Sequence, residues 1–264
     1  MRHKQKTLMF AVLVAAIGLG DLAQAGEKIQ RPQDEKPKQL LFVGNSYLYY
    51  GDSLHNHVRR MALENDPEHK KAYKYKSATI SGAYLAHHNI DSYLTPGQLG
   101  IKTAFDYVII QGHSTASLSD KKRNNFRKYA LEFAQKIKNS GAKPVLYMTT
   151  AYVSPHKKAS SDMMGQIQSL YDSVGAEAGA LVVPVGLAFE RAYKARPDLR
   201  LHKDYDGSHP DLIGTYLAAA TVYATIYGVS PVGNSYDYFG KIDSETRLFL
   251  QTIAEQTVQD YFSK

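Results

Sequence analysis

From residue 39 onward, short unbroken apolar runs alternate with longer stretches in which apolar residues recur every three or four positions. QLLFVG (39–44), FDYVIIQG (105–112), KPVLYMTT (143–150) and ALVVPVG (180–186) are runs of the first kind, ended by glycine or by polar residues. They predict strands buried on both faces. YKYKSATI (73–80) instead alternates polar and apolar positions and predicts an edge strand. Helical spacing predicts helices over 53–65, 119–139, 160–178, 187–195, 211–228 and 243–262, with Ser119 or Asp120 capping the second and Gly141 just past its end. Residues 83–94 are ambiguous and are assigned a short helix. Strands that alternate with helices require crossovers, so the expected fold is a three-layer α/β/α sandwich around a mostly parallel sheet of five strands.

In such a sheet, flavodoxin-like in arrangement, ligands bind outside the carboxyl ends of the strands. The stretch LLFVGNSYLYY sets Ser46 at that edge, directly after the first strand. Gly-Asn-Ser is also ordinary turn sequence, so the position needs a chemical partner. DYDGSHP (204–210) offers one. Asp206 lies three residues before His209, a spacing that lets a carboxylate accept the imidazole hydrogen bond and fix the tautomer whose other nitrogen faces a hydroxyl. The same turn, with Pro210 following, fits a helix cap.

Together, a Gly-Asn-Ser turn after the first strand and Asp-x-x-His-Pro before a C-terminal helix resemble the SGNH (GDSL-type) hydrolases, over about residues 39–228. The resemblance implies an esterase with Ser46 as nucleophile, His209 as general base and acid, and Asp206 orienting His209; Asp204 does not match the motif. It also implies three oxyanion donors: the Ser46 N–H, the N–H of Gly82 in TISGAYL, and an asparagine amide in a Gly-x-Asn block. The chain departs from the family at that third block, which here is Ile110-Gln111-Gly112-His113-Ser114. The Gln-Gly pair is similar to the branch holding sialate O-acetylesterases and acetylxylan esterases, which favours Gln111 as third donor and leaves Ser114 as second choice. Asn45, Tyr47 and His113 are expected to touch substrate.

The segment before the domain changes the expected location. Arg2, Lys4 and Lys6 precede the apolar run 7–20, and Ala23-Gln24-Ala25 gives a small-x-small cleavage pattern. This predicts a secretory signal over 1–25 and a periplasmic or secreted protein without stable membrane insertion once the signal is removed. Residues 26–38 are charged and proline-bearing and predict a flexible leader to a domain spanning 39–264. The chain has no cysteine, so no disulfide holds it. Its net charge is +7; the exported part keeps 29 basic against 24 acidic groups, or +5. Lysines gather at 70–76, 121–128 and 156–158, either as solvated faces or as attraction for an acidic polysaccharide or lipid headgroup. No nucleic-acid-binding module is recognisable.

Ten histidines invite a metal, but none has the i, i+4 spacing with glutamate of a zinc protease. No metal and no cofactor are expected. Twenty tyrosines stand against no tryptophan, and Tyr47, Tyr49 and Tyr50 follow the candidate nucleophile; such rings pack cores and also stack on sugars. The expected substrate is a short-chain acyl ester, O-acetyl by preference, on a small molecule or polysaccharide. A lipid or aryl esterase, a sugar O-acyltransferase and a non-catalytic carbohydrate-binding protein on this fold are the alternatives.

Overall fold

The computed structural model describes residues 29–263; the signal segment expected over 1–25 lies outside them. In chain order the elements are β1 (Gln39–Gly44), α1 (Ser46–Tyr49), α2 (Leu54–Asn65), β2 (Lys74–Thr79), α3 (Ile90–Leu94), β3 (Tyr107–Gln111), α4 (Asp120–Asn139), β4 (Lys143–Tyr147), α5 (Met163–Ala178), β5 (Leu181–Val183), α6 (Val185–Ala195), α7 (Leu212–Tyr227) and α8 (Ser244–Phe262). The five strands form one parallel sheet in the order β2-β1-β3-β4-β5.

Why the central strands are apolar throughout is visible in their side chains, which alternate between faces. Leu40, Phe42, Tyr107, Ile109, Val145 and Tyr147 pack on one face with residues of α2, α6, α7 and α8. Leu41, Val43, Val108, Ile110 and Leu146 pack on the other with α4 and α5. This is the three-layer sandwich expected from the pattern, and the half-polar β2 is an edge strand as its alternation requires. α7 is buried along almost all its length, between the sheet and α8. The ambiguous 83–94 resolves into a 3₁₀ turn at 85–87 followed by α3.

Residues 29–38 depart from the flexible leader expected of them. They lie across the amino-terminal edge of the sheet. Arg31 donates to Ala224 O at 3.3 Å, and the Glu35 N–H to Tyr227 O at 3.0 Å. The Glu35 carboxylate accepts from Tyr107 Oη and pairs with Lys143, at the starts of β3 and β4. Polar composition predicts mobility only when no partner exists, and these partners stand 72 to 193 residues away in sequence. Among the described residues no helix is long and apolar enough to cross a membrane.

Candidate active site

Ser46 is the first residue of α1 and sits at the carboxyl edge of the sheet. Its N–H is one of the amides that a helix start leaves without an intrahelical acceptor. Asn45 caps the turn, its Oδ1 accepting the Tyr47 N–H at 3.2 Å. Ser46 is 8% exposed, enough for its hydroxyl to meet a ligand while most solvent is kept away.

The second half of the site comes from the turn between α6 and α7. A bridge between His202 and Pro210, with Lys203 N–H donating to His209 O at 2.8 Å, closes residues 203–209 into a tight loop. Gly207 is required at its tip. Its φ is +61°, and a Cβ there would fall 2.1 Å from Val153 O. The Val153 N–H donates to Gly207 O at 2.9 Å, so the loop after β4 holds the turn in place.

That turn aims His209 at Ser46. His209 Nε2 lies 2.8 Å from Ser46 Oγ, and Nδ1 lies 2.6 Å from Asp206 Oδ2. Asp206 Oδ1 accepts the N–H groups of Ser208 and His209 at 2.8 and 3.0 Å. Burial raises the Asp206 pKa, but the bonds from the His209 ring and the two amides outweigh it and hold the carboxyl below its ordinary value. Asp206 is therefore an acceptor, Nδ1 carries the imidazole proton, and Nε2 is left to accept from the serine hydroxyl. Asp204 pairs with Arg200.

Tyrosines fix this geometry. Tyr47 Oη and Ser208 Oγ are 2.8 Å apart, linking the helix of Ser46 to the turn of His209. The Tyr50 ring stacks on the His209 ring at 4.2 Å and 21°. Asn45 and Tyr47, expected at the substrate, are only 3% exposed and bond inward, Asn45 Nδ2 donating to Ala83 O at 3.0 Å. Both are corrected here to residues that hold the site's shape. Tyr50 was not singled out for this contact, which no local pattern announces.

Gln111 is likewise a brace. It is 1% exposed and bonded inward: Oε1 accepts the Asn45 N–H at 2.9 Å, and one Nε2 hydrogen goes to Gly112 O. The second Nε2 hydrogen is left over from these bonds. Through Oε1, Gln111 thereby braces the Asn45–Ser46 turn from below. This bond explains Gly44, where a Cβ would lie 2.5 Å from Gln111 Oε1. Ser114, the second choice, is partly buried in the loop after β3. Its Oγ accepts the Tyr152 hydroxyl at 2.8 Å, which leaves its own hydrogen to donate. Among the described residues the Gly82 N–H has no acceptor, and the residue is exposed.

His113 is half-buried with its ring stacked on Tyr84 at 4.3 Å and 9°. Nδ1 accepts the Thr115 N–H at 3.1 Å, so the neutral ring carries its proton on Nε2. Burial, with Lys122, Lys158 and His87 nearby, lowers its pKa from the ordinary value. The histidines at 57 and 202 are spent on internal bonds, His57 to Gly51 O and Tyr236 Oη, His202 to Thr150 and Tyr193. Among the described residues no three His, Asp or Glu side chains gather in a metal-binding cluster.

No protein-family model matches the sequence, and no curated protein matches it either. Solved structures do. A DUF4886 family protein from Bacteroides uniformis superposes with a TM-score of 0.64 at 17% identity, covering 84% of this chain and 95% of the other. A candidate SGNH hydrolase from Slackia heliotrinireducens gives 0.57 at 22%, over 72% and 98% of the two chains. A catalytic mutant of an acetylxylan esterase from Geobacillus stearothermophilus gives 0.53 at 14%, over 76% and 99%. The order of the strands, the placement of a serine after β1 and these superpositions agree: the chain has the SGNH-hydrolase fold.

Proposed function

We propose that the protein is a serine esterase that works through an acyl-enzyme on Ser46. The observation that carries this reading is the continuous hydrogen-bonded line Ser46 Oγ–His209–Asp206, at 2.8 and 2.6 Å, on the edge of the sheet where such folds bind ligands. A serine hydroxyl is a weak nucleophile until a base takes its proton. Here Nε2 takes it as Oγ attacks the ester carbonyl, and Asp206 stabilises the imidazolium that forms. The oxygen of the tetrahedral intermediate is met by the N–H groups of Ser46 and Gly82, with the Ser114 hydroxyl as third donor. His209 then protonates the leaving alcohol. Water repeats the sequence and releases the acid.

The substrates are short-chain acyl esters of carbohydrates, O-acetyl before others. Support comes from the acetylxylan esterase among the structures of the same fold, and from tyrosine rings around the site, among them Tyr50, Tyr84 and the largely exposed Tyr205. The signal-like residues 1–25 favour an exported enzyme, which suits polymeric substrates.

The mature protein expected from the sequence, residues 26–264, treated with a fluorophosphonate and mapped by peptide mass, tests the reading. An adduct on Ser46 that disappears in His209→Ala is the expected result. Ser46→Ala is expected to lower turnover of 4-nitrophenyl acetate by at least about 10⁴-fold. A folded protein that takes no label at Ser46 would remove the enzyme reading and favour a sugar-binding protein.

A further inference from the structure

One face of α6 borders a space that the reaction above does not use. Gly186, Phe189, Glu190, Tyr193 and Lys194 recur at helical spacing and so form a single stripe. The stripe lines a cavity of about 300 Å³, at the small end of ligand pockets. Ala151 and Val153, in the loop after β4, and Met164 of α5 make the facing wall, and the buried His202 closes the floor. Ser46, Gly82, Ser114 and His209 do not line it. Nor does Tyr152, between the two wall residues, whose hydroxyl runs to Ser114 instead.

The floor asks for no hydrogen bond. His202 Nδ1 is bonded to Tyr193 Oη at 2.9 Å and Nε2 to Thr150 Oγ1 at 3.1 Å. The Tyr193 oxygen in turn accepts the N–H groups of Leu201 and His202, each at 3.2 Å. Both polar side chains are thereby saturated, and water entering the cavity finds few partners there. Spaces of this kind stay dry and take up apolar molecules. What this one offers is ring and sulfur surface. Tyr193 lies parallel to His202, at 7° and 5.8 Å, and Phe189 meets that ring at 62° and 5.1 Å. Met164 adds a polarizable thioether, which favours aromatic edges. A flat π system matches such a lining better than a branched chain does. The mouth carries no net charge: the exposed Lys194 pairs with Glu190 at 3.2 Å, and Ser160 and Ser161 add hydroxyls beside them. An ion of either sign would meet a charge already matched, whereas a ligand hydroxyl finds donors and acceptors.

We infer that this cavity is a second binding site, separate from the catalytic mouth, for a small neutral molecule with a single aromatic ring and a hydroxyl, a monocyclic phenol. It sits against the supports of the catalytic turn. The Val153 N–H donates to Gly207 O at 2.9 Å, and His202 bridges to Pro210 beside His209. Binding there does not require Ser46 to be a nucleophile.

The probe is 4-methylphenol, and the readout is the methyl signal of Met164 in protein carrying carbon-13 methionine methyls, assigned with Met164→Leu. Ligands this small bind weakly, so a saturable ring-current shift with a Kd of about 0.1–1 mM is expected. The same Kd should hold after fluorophosphonate treatment. A carboxylate must shed its water to enter, so 4-methylbenzoate should bind at least about tenfold more weakly. Ala151→Leu fills the cavity and Ser161→Trp covers its mouth from the exposed side; each should weaken 4-methylphenol at least about tenfold without lowering Tm. No saturable shift at Met164, an equal shift at every methionine, or equal affinity for the benzoate overturns the site. Turnover of glyceryl triacetate separates the two centres: 4-methylphenol should leave its KM unchanged. A KM that climbs in proportion to the phenol would make the cavity part of the catalytic mouth and overturn the second site. Binding at Met164 in a protein that neither takes the label nor turns over removes the esterase reading alone.

Discussion

Charging His202 should weaken the fold in a defined pH window. His202 is 4% exposed and lies under the turn that carries Asp206 and His209. The Tyr193 hydroxyl oxygen accepts the N–H groups of Leu201 and His202, so its hydrogen goes to His202 Nδ1 at 2.9 Å; Nε2–H then donates to Thr150 Oγ1 at 3.1 Å. A neutral ring satisfies every group, and an imidazolium would turn Nδ1 into a donor facing the Tyr193 hydroxyl. Burial accordingly pushes the His202 pKa down to about 4 from an ordinary 6.5. The folded value is the lower one, so as pH falls below 6.5 the unfolded chain binds a proton that the folded protein refuses. Stability is lost from about pH 6.5 down to about 4, and this group adds nothing further below that. At about 1.4 kcal/mol per unit, the loss between pH 7 and pH 4.5 is about 2 kcal/mol. Urea unfolding followed by far-UV circular dichroism measures it, since the chain has no tryptophan. His202→Gln keeps a polar side chain without a titrating ring, and should be less stable at pH 7 but lose about 2 kcal/mol less on acidification. Parallel losses in the two proteins would refute the assignment of a neutral, buried His202.

Gly44→Ala forces a Cβ to 2.5 Å from Gln111 Oε1; breaking the Asn45 bond and overpacking should together cost about 2–4 kcal/mol and lower Tm by roughly 5–10 °C in a calorimetric scan. Ser114→Ala should lower kcat on 4-nitrophenyl acetate by on the order of 100-fold with KM little changed, whereas a purely KM effect would remove it as an oxyanion donor. Tyr50→Ala unstacks His209 and should cut kcat up to about tenfold, while Tyr50→Phe, which keeps the ring, stays near the parent; equal losses in the two would deny the stack a role.

The strands were legible because a sheet covered on both faces demands unbroken apolar runs, and those runs are short enough to be told from helices. Ser46 and Asp206–His209 were legible only as a pair: each turn alone has ordinary structural uses, and their combination at the two ends of the domain carried the resemblance. What escaped depends on atoms that meet only after folding. Gln111 was expected as a donor because its Gln-Gly pair is similar to the branch holding sialate O-acetylesterases and acetylxylan esterases, yet a glutamine ending an apolar strand also needs a partner. The sequence does not say that the Asn45 N–H, 66 residues earlier, supplies it. Tyr50 is one of three nearby tyrosines, and only the three-dimensional turn of α1 separates the ring stacked on His209 from Tyr47, buried beneath. Residues 29–38 misled for the same reason: ion pairs with distant partners leave no local periodicity.

Those docked residues also give the molecule a direction. Lys38 and Gln39 donate their backbone N–H groups to Asp106, just before β3, while Ser46 opens at the far end of β1. A strand of six residues spans about 20 Å. Residues 29–38 thus dock on one pole of the domain and Ser46, the proposed nucleophile, opens at the other. Under the proposed function, a long polymer would meet Ser46 on the side of the domain opposite these docked residues.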